Sequence, residues 1–182
     1  LAGTVIKAGE DNSLRYINHG FKELEKLNVH PVISVWPAIN ENSRNFHTMS
    51  DEGMLVATKD GEDCLLHFAG RQTYIDPTNP KTRKFQWEKI KKTYYHRGIK
   101  SYWLDATEPE IDPLRFDDLT YYLGDGEQVS LAYPYYNQKT FYDGLMESGE
   151  KHSVLLTRCA YAGSQKFGSI VWNGDIHSTF EE

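Results

Sequence analysis

Cysteine is scarce in this chain of 182 residues, with only Cys64 and Cys159 present. Two isolated thiols offer no disulfide framework and no metal-type spacing. Basic blocks are lacking as well. Net charge is −6, and the densest lysine stretch, Lys81 to Lys92, is interrupted by Trp87, Glu88 and Ile90 as the solvated face of a helix would be. Phosphate binding needs a basic surface, so nucleic acid is not an expected partner. No apolar run approaches the roughly 20 residues that cross a bilayer, so no membrane contact is expected. A secretory signal, an initiator Met and an Asn-x-Ser/Thr acceptor are all missing from the sequence as given, and the compartment stays open. The seven histidines are scattered without metal spacing, so no metal site is expected.

What the chain has in excess is aromatic residues, 13% of the total, with 12 Tyr and 4 Trp. Flat rings suit the C–H faces of sugars, and they equally suit a large core. Hydrophobic content of 39% is ordinary for a globular domain, and the length suffices for one. Ile17, Phe21, Leu24 and Leu27 recur at helical spacing, and a strand follows from Pro31 to Trp36, closed by Pro37. The polar stretch from about 40 to 76 reads as a long loop insertion with one short helix, Phe46 to Leu55. Asp76-Pro-Thr-Asn-Pro80 starts a second helix, which carries Trp87, Ile90 and Tyr94 on one face and stops at Gly98. A strand then runs from Ser101 into Asp105. A further polar loop, Asp112 to Pro134, precedes a helix over Gln138 to Glu147, and strands Ser153 to Thr157 and Ser169 to Trp172 close the series. Helices alternating with strands predict an α/β fold with a parallel sheet. The strands are short and apolar without alternation, as expected where both faces are covered. Cys159, directly after a strand, reads as a small buried side chain.

Two strand ends stand out. Ser101-Tyr-Trp-Leu-Asp-Ala-Thr-Glu-Pro-Glu110 delivers Asp105 and Glu108 at its tip, and Ser169-Ile-Val-Trp-Asn-Gly-Asp175 delivers Asp175. In an α/β barrel the C-terminal strand ends hold the chemistry. Two such ends, each with an Asp beside a Trp, suggest paired carboxylates facing a sugar. Asp105 alone reads equally well as a cap or turn residue. Trp103 before it and Glu108-Pro109 after it favour catalysis. Asp175 in Asn-Gly-Asp reads by itself as a plain turn.

Trp103-Leu-Asp-Ala-Thr-Glu-Pro109 resembles the nucleophile motif of the retaining α-glycosidases of glycoside hydrolase family 31, and within that family the α-xylosidases. Arg158-Cys-Ala-Tyr-Ala-Gly-Ser-Gln165 resembles the segment after the next barrel strand, and Trp172-Asn-Gly-Asp175 the acid/base motif. Ser34-Val-Trp-Pro37 resembles a strand end whose Trp lines the pocket. The resemblance runs in order through nearly the whole chain. It implies part of a (β/α)8 TIM barrel: about four consecutive parallel strands matching the third to the sixth, with 1–182 as the central part of the catalytic domain. The later His-Asp motif of the family has no counterpart here. The remainder of the barrel is therefore an expected requirement.

The resemblance implies Asp105 as nucleophile and Asp175 as general acid/base. A retaining hydrolase sets such carboxyls about 5–5.5 Å apart, the first ionised and the second initially protonated. Arg158 would bind the sugar in the cleaved subsite or form a buried ion pair, with Asp105 itself a candidate partner. Trp36, Trp103 and Trp172 would wall the pocket, Glu108 would support it by hydrogen bonding, and His177 lies close enough in sequence to touch it. The expected substrate is an oligosaccharide ending in α-linked xylose, with glucose the alternative, and no cofactor is required. The other open reading is an inactive sugar-binding or structural fragment.

Overall fold

The computed structural model describes residues 11–63, 65–67, 70–108, 116–177 and 179–180. Expectations placed on Cys64, Pro109, Glu110 and Asp112, and on the side chain of Ile17, lie outside the described residues. The helices are α1 (Asp11–Lys26), α2 (Phe46–Asp51), α3 (Pro80–Thr93), α4 (Gly126–Val129) and α5 (Tyr133–Glu147). The strands are β1 (Val32–Val35), β2 (Ala38–Asn40), β3 (Ala57–Thr58), β4 (Leu65–His67), β5 (Arg71–Tyr74), β6 (Ser101–Leu104), β7 (Leu119–Tyr121), β8 (Gly124–Asp125), β9 (Leu155–Thr157) and β10 (Ile170–Val171).

Four of these strands make one parallel sheet in the order β1-β6-β9-β10. Chain order equals spatial order, as in consecutive βα units of a barrel, and no closed barrel forms among the described residues. α3 connects β1 to β6, and α5 connects β6 to β9. α3 starts where the sequence indicates. The Asn79 side chain caps it by accepting from the Lys81 N–H at 2.9 Å, and Pro80 fills the first turn. Gly98, at φ 91°, stops the short 3-10 turn that follows α3. α5 begins five residues earlier than expected, because Pro134 is tolerated inside a first turn.

One face of the sheet packs on α3 and α5. Tyr102 and Leu104 of β6 are fully buried there with Trp87, Ile90, Phe141, Leu145 and Leu155. Full burial of each large side chain contributes about 1.5–3 kcal/mol. The α3–α5 contact is close enough that a Cβ on Gly144 would meet the Trp87 ring at 2.1 Å. Ser101 and Trp103, on the opposite face, are only half-buried, so β6 alternates where continuous coverage was expected. Leu27 also departs from expectation. It lies past the end of α1 and is exposed, whereas Phe21 packs on the core.

The two stretches read as polar loops are structured. Between β1 and α3, strands β2, β5 and β4 form an antiparallel sheet and α2 supplies the short helix. Between β6 and α5, β7 and β8 pair with each other, and β3 of the first insertion pairs with β7. The two insertions are thus joined through one sheet. Both leave the C-terminal ends of parallel strands, the end where a barrel binds its ligands. Buried Asp76 fastens them. It accepts from the Thr78 N–H (2.9 Å) and hydroxyl (2.6 Å), and from the Tyr122 N–H (2.6 Å). Burial pushes the Asp76 carboxyl above its usual value, and these donors pull it part of the way back. Tyr133, also buried, donates its hydroxyl to the Ile75 carbonyl at 2.8 Å.

Candidate active site

Register builds the site. Val35 pairs with Leu104, Leu104 with Thr157, and Thr157 with Val171. One step further along each strand stand Trp36, Asp105, Arg158 and Trp172, level with one another across four neighbouring strands. Backbone bonds carry the ladders to this row: Asp105 N–H to Val35 C=O (3.2 Å), Arg158 N–H to Leu104 C=O (3.4 Å) and Trp172 N–H to Thr157 C=O (3.2 Å). Side chains alternate across a sheet, so residues one step past Leu104 and Thr157 point away from the helices. This is the face of Trp103, whose ring meets Trp172 edge-on at 5.4 Å.

Asp105 is held by donors on both sides. Trp36 Nε1–H donates to its Oδ2 at 3.0 Å, and Ala106 N–H donates to its Oδ1 at 2.9 Å. Ala106 reaches that position in a left-handed conformation, φ 52°, unusual for a residue with a Cβ. Arg158 Nη1 lies 3.7 Å from Asp105 Oδ1. Among the described residues Arg158 bonds more closely to Glu108: Nε–H donates to Oε1 at 2.8 Å and an Nη2–H to Oε2 at 3.0 Å. Of the two acids, Glu108 is therefore the tighter partner in the buried ion pair weighed for Arg158. Both Glu108 oxygens are engaged by Arg158, so its carboxylate faces an arginine rather than an open pocket.

Asp175 lies beyond β10 and is exposed, as is His177. The backbone just before Asp175 passes over the stem of Arg158, where a Cβ added to Gly174 would stand 3.5 Å from Arg158 Cδ. The Asn-Gly-Asp turn therefore returns to the same sheet end as Asp105. Asp105 and Trp36 touch, Arg158 bridges toward Asp105 and Glu108, Trp172 joins Trp103, and Asp175 follows the Gly174 that lies against Arg158. Cys159 is half-buried rather than buried. Burial foremost, with the Glu108 charge next, pushes its thiol up, away from a reactive thiolate. Sequence reasoning missed Ala106 and the pair of buried hydroxyls behind it, Thr107 and Thr157, which stand 3.4 Å apart. No residue-type signal marks either.

Residues 12–182 match the model of the glycosyl hydrolases family 31 TIM-barrel domain. A Pseudescherichia vulneris protein named "uncharacterized family 31 glucosidase ORF2" is 41% identical over 159 residues, covering 87% of this chain and 30% of that protein. The Aspergillus niger α-xylosidase A is 31% identical over 173 residues, covering 81% of this chain and 23% of that protein. The chain thus spans less than a third of the length of either relative. Among solved structures, a family 31 α-xylosidase from a soil metagenome, complexed with xylose, superposes with a TM-score of 0.86 at 38% identity, covering 90% of this chain and 24% of that one.

Proposed function

This chain belongs to glycoside hydrolase family 31, and on that footing we propose that it carries the catalytic centre of a retaining α-glycosidase that removes terminal α-linked xylose from oligosaccharides. The observation that carries the reading is Asp105. It is a half-buried carboxylate at the tip of an inner parallel strand, oriented by an indole N–H, its neighbour's backbone N–H and an arginine. A nucleophile needs this arrangement, because an ionised carboxylate out of bulk water requires donors on its oxygens. In the proposed reaction Asp105 attacks the anomeric carbon and the aglycone oxygen departs, taking a proton from Asp175. Asp175 then draws a proton from water, which attacks the same carbon and releases Asp105. The configuration is inverted twice and so retained. The exposed position of Asp175 suits an acid that must reach both a leaving group and water.

Xylose is favoured over glucose by the Asp-Ala-Thr-Glu-Pro motif, supported by the relatives named α-xylosidase. The strands that complete the barrel would close the pocket around the sugar, and activity is proposed for the chain within that whole. The test is turnover of aryl α-xyloside against aryl α-glucoside by the protein with its complete barrel. Xyloside turnover with initial release of α-xylose, lost by roughly a thousandfold or more in Asp105→Asn, is expected. An initial β-anomer, or an active Asp105→Asn, would refute the mechanism. Preference for the glucoside would refute the xylose assignment alone.

A further inference from the structure

Arg158 is shared unequally. Its Nε and Nη2 clasp Glu108 at 2.8 and 3.0 Å, while Nη1 remains 3.7 Å from Asp105, beyond hydrogen-bond length. Glu108 is the more exposed of the two acids, 31% against 13% for Asp105, with the Arg158 side chain at 14%. Solvent screening thus does not explain why the arginine prefers Glu108. Geometry does. A planar guanidinium makes two parallel bonds to one carboxylate, and doing so fixes its plane. Its stem is confined as well, because the Gly174 backbone lies against the Cγ and Cδ carbons. Among the contacts seen in the described residues, the acceptor next after Glu108 in distance from the guanidinium is Asp105. Closing that gap by about 0.9 Å would make a tight ion pair with the very oxygens that must attack carbon.

We propose that Glu108 is a positioning residue that restrains the Arg158 guanidinium short of Asp105, so that the arginine's charge faces the carboxylate without clamping it. The proposal rests on Asp105 being the nucleophile. It gives Glu108 a role distinct from touching the sugar. It also explains why the motif places a second carboxylate three residues after the first: the left-handed Ala106 turns the chain so that both acids meet one arginine.

The test uses the protein with its complete barrel. Glu108→Ala should lower kcat on an aryl α-xyloside by roughly 10- to 100-fold, the range for losing charge-assisted hydrogen bonds, with a smaller change in KM. Sodium formate, replacing chloride at equal ionic strength, should restore part of that loss by refilling the carboxylate site. Formate should not restore Arg158→Ala, and the double variant should be no slower than Arg158→Ala alone. A merely structural role predicts the reverse: no formate response, and losses that multiply. Either of those results, or an unchanged kcat in Glu108→Ala, overturns the proposal. A second readout does not depend on turnover. In protein labelled with 15N-arginine, the Arg158 Nε–H resonance should exchange slowly with solvent, become fast in Glu108→Ala and slow again with formate. An unaltered resonance in Glu108→Ala would sink the clasp even if neither aryl glycoside is hydrolysed, an outcome that by itself refutes the glycosidase reading.

Discussion

Trp36 shows how the arrangement works at the scale of single residues. Its indole N–H is the sole side-chain hydrogen bond to Asp105 Oδ2 among those seen in the described residues, at 3.0 Å, and its ring sits one strand away in the same row. A Trp36→Phe substitution keeps the aromatic surface and deletes that donor. It should reduce kcat/KM on aryl α-xylosides by roughly 10- to 100-fold, since a bond to a charged acceptor is worth about 1.5–3 kcal/mol. Steady-state kinetics with thermal melts would check this, and an unchanged kcat/KM would remove Trp36 from the orientation of Asp105. Asp175 has a different signature. Replacing it with Asn should cost about 10²–10⁴-fold on a substrate with a poor leaving group and far less on a dinitrophenyl glycoside, which leaves without a proton. Equal losses on both would deny Asp175 the role of acid.

At the scale of elements, the packing of α5 on α3 depends on the missing side chain of Gly144. Alanine favours a helix interior over glycine by about 1 kcal/mol, yet here its methyl would lie 2.1 Å from an indole carbon. Gly144→Ala should therefore destabilise the protein, by about 1–3 kcal/mol as overpacking commonly does. An increased urea midpoint would contradict the packing described. Asp76 makes a pH-dependent prediction. Its folded-state carboxyl lies above the ordinary 3.8, chiefly through burial. Its protonation therefore contributes stability that is fully present below 3.8 and is lost as pH rises through the higher folded value. Asp76→Asn should cost about 1–3 kcal/mol by disturbing the bonds to Thr78 and Tyr122. The gap from wild type should be wider at pH 4 than at pH 7, as read from urea unfolding at both. A gap that narrows on acidification would contradict the direction of the shift. The parallel strands and α3 were legible because apolar runs, Asn-Pro and Gly mark them. The insertions were not. Their strands are two to four residues long and split by glycines, too short for a period to show, and they are held by partners remote in sequence.

For the whole molecule, the four-stranded sheet presents one face to helices and the other, with Trp103, Asp105, Arg158 and Trp172, toward the interior that further strands of a barrel would enclose. β1 and β10 are its edges, and exposed Val32, Ile170 and Val171 lie there. Such edges favour pairing with other strands, which accords with the chain's span of less than a third of the two sequence relatives described. The identity of the key residues could be read from the ends of the apolar runs. Their alignment into one row could not, because register depends on pairing and a slip of one residue reverses every side chain. Glu108 illustrates the remainder: the sequence suggests a supporting acid, and only folding shows that an arginine beyond β9 occupies both of its oxygens. The most direct test of the account is covalent trapping. The protein with its complete barrel is incubated with 5-fluoro-α-xylosyl fluoride, digested and analysed by mass spectrometry. The account predicts one fluoroxylosyl adduct on the peptide containing Asp105, absent from Asp105→Asn. An adduct on another carboxylate, or hydrolysis with inversion and no adduct, would contradict it.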